Sequence, residues 1–474
     1  MDGYSDVSLA APDLRIPTCA APCNLIDKVG GLCYHRNSLG RIVSGVFCAC
    51  RGGAEPYLGG LLRSLIGEEE PRAVAFVSGL KCRECGREQP ADPLNVCDFC
   101  FGPLEVVYDY ATISEVVSRD RITAGPLSIW RYADLLPAES ENRVDIMAGF
   151  TPLIKADNLG KRLGLNNLYI KNDSVNPSFS FKDRVVSVAA TKAVEFGFET
   201  ISCASTGNLA CSVAAHAARA GMRAVVFIPS DWSGERSSAP PSMARRWWPL
   251  TAPTISKTLG YEVAEQLGWR VPDHVVVPSA SGAMFTKIWK GFNELACLGL
   301  LDGVEASSFG PDQNTVHHPA VTTRMHMAQA EGCSPIVNAW DNDDARITPV
   351  RADSLAKSLA IGNPADGIYS LRVINNSGGS AYAVPEDRIV SGIRLLAETE
   401  GIFTETAGGV TVSALAHLAQ QGAIGADELT VVYITGNGLK TQEAVEDEVV
   451  NPLSIKPSIT SFEAALDGQA VNKR

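Results

Sequence analysis

From Thr151 onward, short apolar runs rich in β-branched residues alternate with Ala-rich stretches of mixed polarity. That alternation is the pattern of a parallel sheet covered by helices. Residues 168–171, 200–203, 224–229, 274–278 and 429–435 read as strands, and 183–196, 208–220 and 285–298 as helices. Ala189, Ala190 and Ala193 give the first of these helices a small-residue face suited to close packing. Residues 1–75 hold no sustained period of either kind, and only a short helix near 61–66 is expected there. Residues 80–110 carry two cysteine pairs and a β-branched ending that reads as a strand, the pattern of a small knuckle module. Two later stretches break the alternation. Residues 233–253 hold four prolines and the adjacent Trp247 and Trp248, and 308–327 are equally without period, so no regular element is expected in either. The expected class is α/β.

With 474 residues and 45% apolar content, the chain exceeds what one core usually serves, so two or more domains are expected. Its 41 basic and 53 acidic side chains leave a net charge of −12 with no long basic run, which argues against a nucleic-acid or anionic-membrane surface. No apolar run reaches the roughly 18 residues of a spanning helix. The first residues, with Asp2, Asp6 and Asp13, lack the basic-then-apolar order of a secretory signal. A soluble, cytoplasmic protein is the expectation. Nine of the thirteen cysteines fall in the first 100 residues, while Cys203, Cys211, Cys297 and Cys333 sit among apolar or small residues, like thiols of a reduced compartment.

Four strand-to-helix or turn segments carry candidate chemistry. In Asn176-Pro177-Ser178-Phe179-Ser180-Phe181-Lys182-Asp183-Arg184, Lys182 opens a helix. The positive end of the helix dipole and the neighbouring Arg184 both disfavour its protonation, which favours attack on a carbonyl. A lone lysine at a helix start is more often a solvated surface residue, so its companions decide the matter. Ser205-Thr206-Gly207-Asn208 follows a strand and opens a helix, as a donor cluster or a plain N-cap. Ala280-Ser281-Gly282-Ala283-Met284 is a run of small residues whose backbone N–H groups suit an anion. Thr435 ends a strand with one hydroxyl at a sheet's carboxyl edge. Residues 436–440 do not fit GxxxxGK[ST], so no nucleoside triphosphate site is expected.

In this order, the four segments make the chain resemble fold-type II enzymes that use pyridoxal phosphate, and among them the threonine synthase family. AQAEGCSPI (328–336), KSLAIGNPADG (357–367), GIFTETAGG (401–409) and YITGNGLKT (433–441) look like signatures of that family. The resemblance covers residue 80 to the C-terminus, with gaps. It implies two open, twisted, mostly parallel sheets flanked by helices. The implied division is an extension over 1–79, a module over 80–110, a large domain from 111–185 and 256–474, and a shortened smaller domain over 186–255.

By the same resemblance, Lys182 would form the Schiff base with the cofactor and shuttle protons, and Asn208 would hydrogen-bond the cofactor's phenolic oxygen. Residues Ala280 to Met284 would bind the cofactor's phosphate, Thr435 would meet the pyridine nitrogen, and Ser205 and Thr206 would hold substrate carboxylate or phosphate. The implied reaction is a lyase-type conversion of O-phospho-L-homoserine and water to L-threonine and phosphate, in a homodimer. Cysteate synthase, a threonine or serine dehydratase, and an inactive paralogue acting as a binding protein are the alternatives. Cys82, Cys85, Cys97 and Cys100 have the paired spacing of a zinc site, with a metal-free structural knuckle as the other reading.

Several tens of residues that the family carries ahead of Ser256-Lys257-Thr258 are missing, including a polar loop that helps grip the substrate's phosphate, and nothing in the sequence positions Arg245 and Arg246 to replace it. Residues 1–75, 233–253 and 308–327 have the character of gene-structure or reading-frame errors, because matching motifs resume abruptly after each.

Overall fold

The computed structural model describes residues 76–94, 96–205, 207–228, 255–304, 321–446 and 456–471, together with three short strands within 27–46. The chain divides into two compact units, residues 1–71 and 72–474. In the first, β1 (Asp27–Val29), β2 (Leu32–Arg36) and β3 (Ile42–Val46) pair antiparallel. The helix expected near 61–66 lies outside the described residues, as do 229–254 and 305–320.

The second unit opens with a three-stranded antiparallel sheet, β4 (Val77–Cys82), β5 (Glu88–Gln89) and β6 (Leu104–Tyr108), with β4 central. Helices α1 (Tyr110–Val116) and α2 (Arg119–Thr123) follow. The main body then alternates strand and helix. β7 (Leu153–Lys155), α3 (Asp157–Leu163), β8 (Leu168–Asn172) and α4 (Lys182–Glu195) lead to β9 (Thr200–Ala204), α5 (Asn208–Ala220) and β10 (Arg223–Phe227). Next come α6 (Lys257–Gln266), β11 (His274–Pro278), α7 (Ala283–Cys297), β12 (Arg324–Ala330) and α8 (Pro335–Asp341). The last elements are α9 (Gly367–Ser377), β13 (Ser380–Val384), α10 (Glu386–Glu400), α11 (Thr406–Gln420), β14 (Thr430–Ile434) and α12 (Ile459–Val471).

One six-stranded sheet runs in the order β13-β12-β11-β14-β8-β7, parallel except for the edge strand β7. β9 and β10 form a separate parallel pair. The central strands HVVVP and TVVYI are buried along their whole length, as strands covered by helices on both faces must be. Alternation sorts their side chains into two cores. Val275, Val277, Val431 and Tyr433 pack with residues of α6, α7 and α9, whereas Val276, Val432 and Ile434 pack with residues of α10 and α11. The α/β class and the mostly parallel sheets stand as expected from the sequence.

Two expectations are corrected: residues 1–75 were expected to hold only a short helix, yet they carry the strands β1, β2 and β3. The stretch 308–327 was expected to hold no regular element, yet β12 begins at Arg324, inside it. Met325 and Met327 face one core and Ala328 and Ala330 the other, so the strand alternates without the β-branched residues that would mark it. Among the described residues, no helix is long and apolar enough to cross a membrane.

Candidate active site

The residues that follow β9, β11 and β14 line one cavity of about 600 Å³, at the strand carboxyl ends where open α/β sheets bind ligands. Lys182, Ser205, Asn208, Ala280, Ser281, Gly282, Ala283, Met284 and Thr435 all line it, whereas Thr206 lies outside the described residues.

Three distant passages of chain are tied together at this point, largely through main-chain bonds. The Phe181 N–H donates to the Thr435 carbonyl at 2.9 Å, and the Asn437 N–H to that of Phe179 at 3.1 Å. The Glu405 N–H donates to the Gly436 carbonyl at 3.1 Å, and the Gly438 N–H to that of Phe403 at 3.0 Å. These bonds hold Phe179 at φ +64°, a left-handed conformation that costs a side-chain-bearing residue about 1–2 kcal/mol. Asp183 braces the same turn by accepting from the Ser178 N–H and the Ser212 hydroxyl, each at 2.6 Å. Lys182 is thereby fixed at the first position of α4.

Burial brings the Lys182 amine down to about 8, with the Glu405 carboxylate opposing the shift. Roughly a tenth of such an amine is neutral at pH 7, against roughly one part in several thousand for an ordinary lysine. The cause differs from the one expected. Arg184 lies fully buried beneath the helix and donates to Asp173 at 2.6 Å and to Glu262 at 2.8 Å, so its charge is met on both sides. Loss of water, not a neighbouring cation, depresses the lysine.

Glu405 is the residue that sequence reasoning missed. It is buried in the cavity wall, where Asn208 Nδ2 donates to its Oε2 at 2.8 Å. Burial raises its carboxyl above the usual range, against the hydrogen bond from Asn208, the charges of Lys440 and Lys182, and the hydrogen bond from Thr435. Gly436 makes room for it, since a Cβ there would lie 2.4 Å from the carboxyl carbon. The one signal available was a lone carboxylate within GIFTETAGG.

Opposite the lysine, residues 279–282 join β11 to α7. Gly282 takes φ +93°, which glycine adopts freely. The first-turn amides of α7 have no acceptor within the helix, and the Ser279 hydroxyl is buried without a hydrogen-bond partner. Lys440 Nζ and Thr441 Oγ1, also on the cavity wall, are buried and unpartnered as well. A ligand carrying both an aldehyde and a phosphate fits this donor set, with an amine of lowered basicity at one end and orphaned donors for oxygen around it.

In the cysteine module, the four sulfurs of Cys82, Cys85, Cys97 and Cys100 lie within 4.8 Å of one another. Cys82 and Cys100 are 3.4 Å apart, and Cys85 and Cys97 3.7 Å. Four thiolates placed tetrahedrally about 2.3 Å from a zinc ion would stand about 3.8 Å apart, so this set fits such an ion.

Fold and cavity together are those of a fold-type II α/β enzyme. The family model described as pyridoxal-phosphate dependent enzyme matches residues 144–243 and 243–436. Threonine synthase of Methanocaldococcus jannaschii is 33% identical over 407 residues, covering 79% of this chain and 96% of its own. Threonine synthase of Methanosarcina acetivorans is 34% identical over 422 residues, covering 82% and 99%. The chain therefore belongs to the pyridoxal-phosphate dependent enzymes and, within them, to the threonine synthase family.

Proposed function

We propose that this chain converts O-phospho-L-homoserine and water to L-threonine and phosphate. The observation that carries the proposal is the convergence, in one cavity, of a half-neutral-at-pH-8 lysine with two sets of unpartnered oxygen-binding donors, in a chain one-third identical to threonine synthases. Lys182 Nζ would hold the cofactor's aldehyde carbon, the amides of residues 280–284 and the Ser279 hydroxyl its phosphate, and Asn208 and Thr435 its ring. When bound, pyridoxal phosphate supplies an electron sink that makes the substrate's α proton removable.

Lys182 Nζ then serves as the mobile base and acid. It takes the proton at the α carbon and passes it to the phosphate, then takes one at the β carbon as phosphate leaves the γ carbon and returns it to the γ carbon. Last, it takes one from water as its oxygen bonds to the β carbon and returns that one to the α carbon. Ser205 and Thr206 would hold the substrate carboxylate or phosphate. Lys440 Nζ, on the cavity wall and without a hydrogen-bond partner, stands ready for an anionic group of the substrate. Glu405 keeps the Asn208 amide oriented. Cys82, Cys85, Cys97 and Cys100 would hold zinc in a structural role, residues 186–255 would form the smaller domain, and the family resemblance carries a cytoplasmic homodimer.

The test is an assay of the purified chain for cofactor colour, threonine and phosphate. The wild type is expected to be yellow with pyridoxal phosphate and to release phosphate from O-phosphohomoserine with threonine appearing. Lys182→Ala should lose both properties. Turnover of phosphoserine or of free threonine in place of phosphohomoserine would overturn the substrate assignment.

A further inference from the structure

The turn between Cys82 and Cys85 consists of Arg83 and Glu84, and both residues reach out of the module. Arg83 Nη1 donates to Asp366 Oδ1 at 2.6 Å, and its guanidinium carbon lies 3.3 Å from the centre of the Tyr369 ring. The Tyr369 hydroxyl donates to the Glu84 carboxylate. Asp366 is the N-cap residue of α9, and its other bonds lead to the cavity. Its N–H donates to the Ser281 carbonyl at 2.9 Å, and its own carbonyl accepts from the Ser370 hydroxyl at 2.9 Å. Gly282 rests directly on this pair, since a Cβ there would stand 2.1 Å from Ser370 Oγ and 2.9 Å from the Asp366 carbonyl oxygen.

A second strap runs in parallel. Glu105, on β6 of the same module, is buried against Lys287 and Lys290 of α7, the helix that residues 279–282 open. Neither Arg83 nor Asp366 lines the cavity, so neither touches a ligand there.

We propose that the four-cysteine module is a positioning device for the loop that accepts the cofactor's phosphate, with Arg83 as the coupling residue, so that metal at the thiols and phosphate at the loop bind cooperatively. This rests on the reading above that residues 279–284 receive that phosphate. Two of the four thiols bracket Arg83 and Glu84. A metal ion that draws the sulfurs together fixes the backbone of that turn, and with it the direction of the guanidinium. Arg83 in turn fixes Asp366, and Asp366 fixes Ser281 and Gly282. Such linkage acts equally in both directions.

The experiment compares pyridoxal phosphate with pyridoxal, which lacks the phosphate, as ligands of the cofactor-free, zinc-loaded full chain, followed by absorbance. In Arg83→Met, pyridoxal phosphate is expected to bind about tenfold more weakly while pyridoxal is unaffected, because a charge-assisted bond to the loop's support is gone. Asp366→Asn should repeat that pattern. Arg83→Lys, which keeps the charge without the planar fork, should recover part of it. Stripping zinc from the wild type should weaken pyridoxal phosphate by a similar factor and add little in Arg83→Met.

Equal weakening of both ligands, no weakening, zinc and Arg83 effects that simply multiply, or a purified chain that takes up no zinc would each overturn the coupling. A wild type that binds pyridoxal as tightly as pyridoxal phosphate would instead show that the loop does not receive the phosphate, and the coupling would fall with it.

Discussion

Lys182 and Glu405 are both short of water, and each carries the charge that eases the other's burial. The neutral amine is the nucleophile, so capture of the cofactor's aldehyde is expected to speed up as pH rises toward about 8 and to level off above it. A lysine at its ordinary value would keep gaining toward about 10.5. Glu405 holds the amine's proton on, so Glu405→Gln should move the midpoint to lower pH. Stopped-flow absorbance across pH 6–10 measures both, and a wild-type midpoint near that of a free lysine would contradict the assigned burial. Lys182 was legible because a lysine at a helix opening sat beside three other ligand-type turns. Glu405 was not, because its importance comes from a main-chain bond to Gly436 and a side-chain bond to Asn208, 31 and 197 residues away in sequence.

The helices and strands that could be read ahead of the structure are those whose burial is uniform or strictly periodic. HVVVP and TVVYI announce themselves by β-branched runs, and α5 begins and ends where expected. β12 did not, because methionine and alanine fill its two faces, and nothing local separates such a strand from a loop. Close helix packing was legible only as small-residue content, at Ala189, Ala190 and Ala193. The α10–α11 pair shows what that content is for: a Cβ on Gly409 would stand 2.4 Å from the Ile389 carbonyl oxygen, and one on Gly392 2.2 Å from that of Gly409. Gly409→Ala should therefore destabilise the chain by about 1–3 kcal/mol, seen as a lowered thermal midpoint, because backbone rather than a flexible side-chain tip must give way. An unchanged midpoint would mean that the helices separate more readily than this contact implies.

Taken as a whole, the chain matches its relatives across nearly their full length and yet carries stretches they do not explain. Motif order along the sequence was enough to establish the α/β class and the family, because the residues that meet at the cavity lie at strand and helix ends whose local signatures survive. The joining of the cysteine module to the cavity was not legible, since the Arg83–Asp366 pair spans 283 positions. For the stretch 233–253, sequencing of the transcript is expected to show different bases from those translated here, and a transcript that reads through it unchanged would refute a reading-frame or splicing error.

The ties between residues 179–181, 403–405 and 435–438 have a consequence for engineering. Every residue type but proline carries both an amide hydrogen and a carbonyl oxygen, so exchanging the side chain of Phe179, Phe403 or Asn437 for any other leaves those ties available. Substitutions at these three places, none of which lines the cavity, should therefore leave the reacting amine where it is.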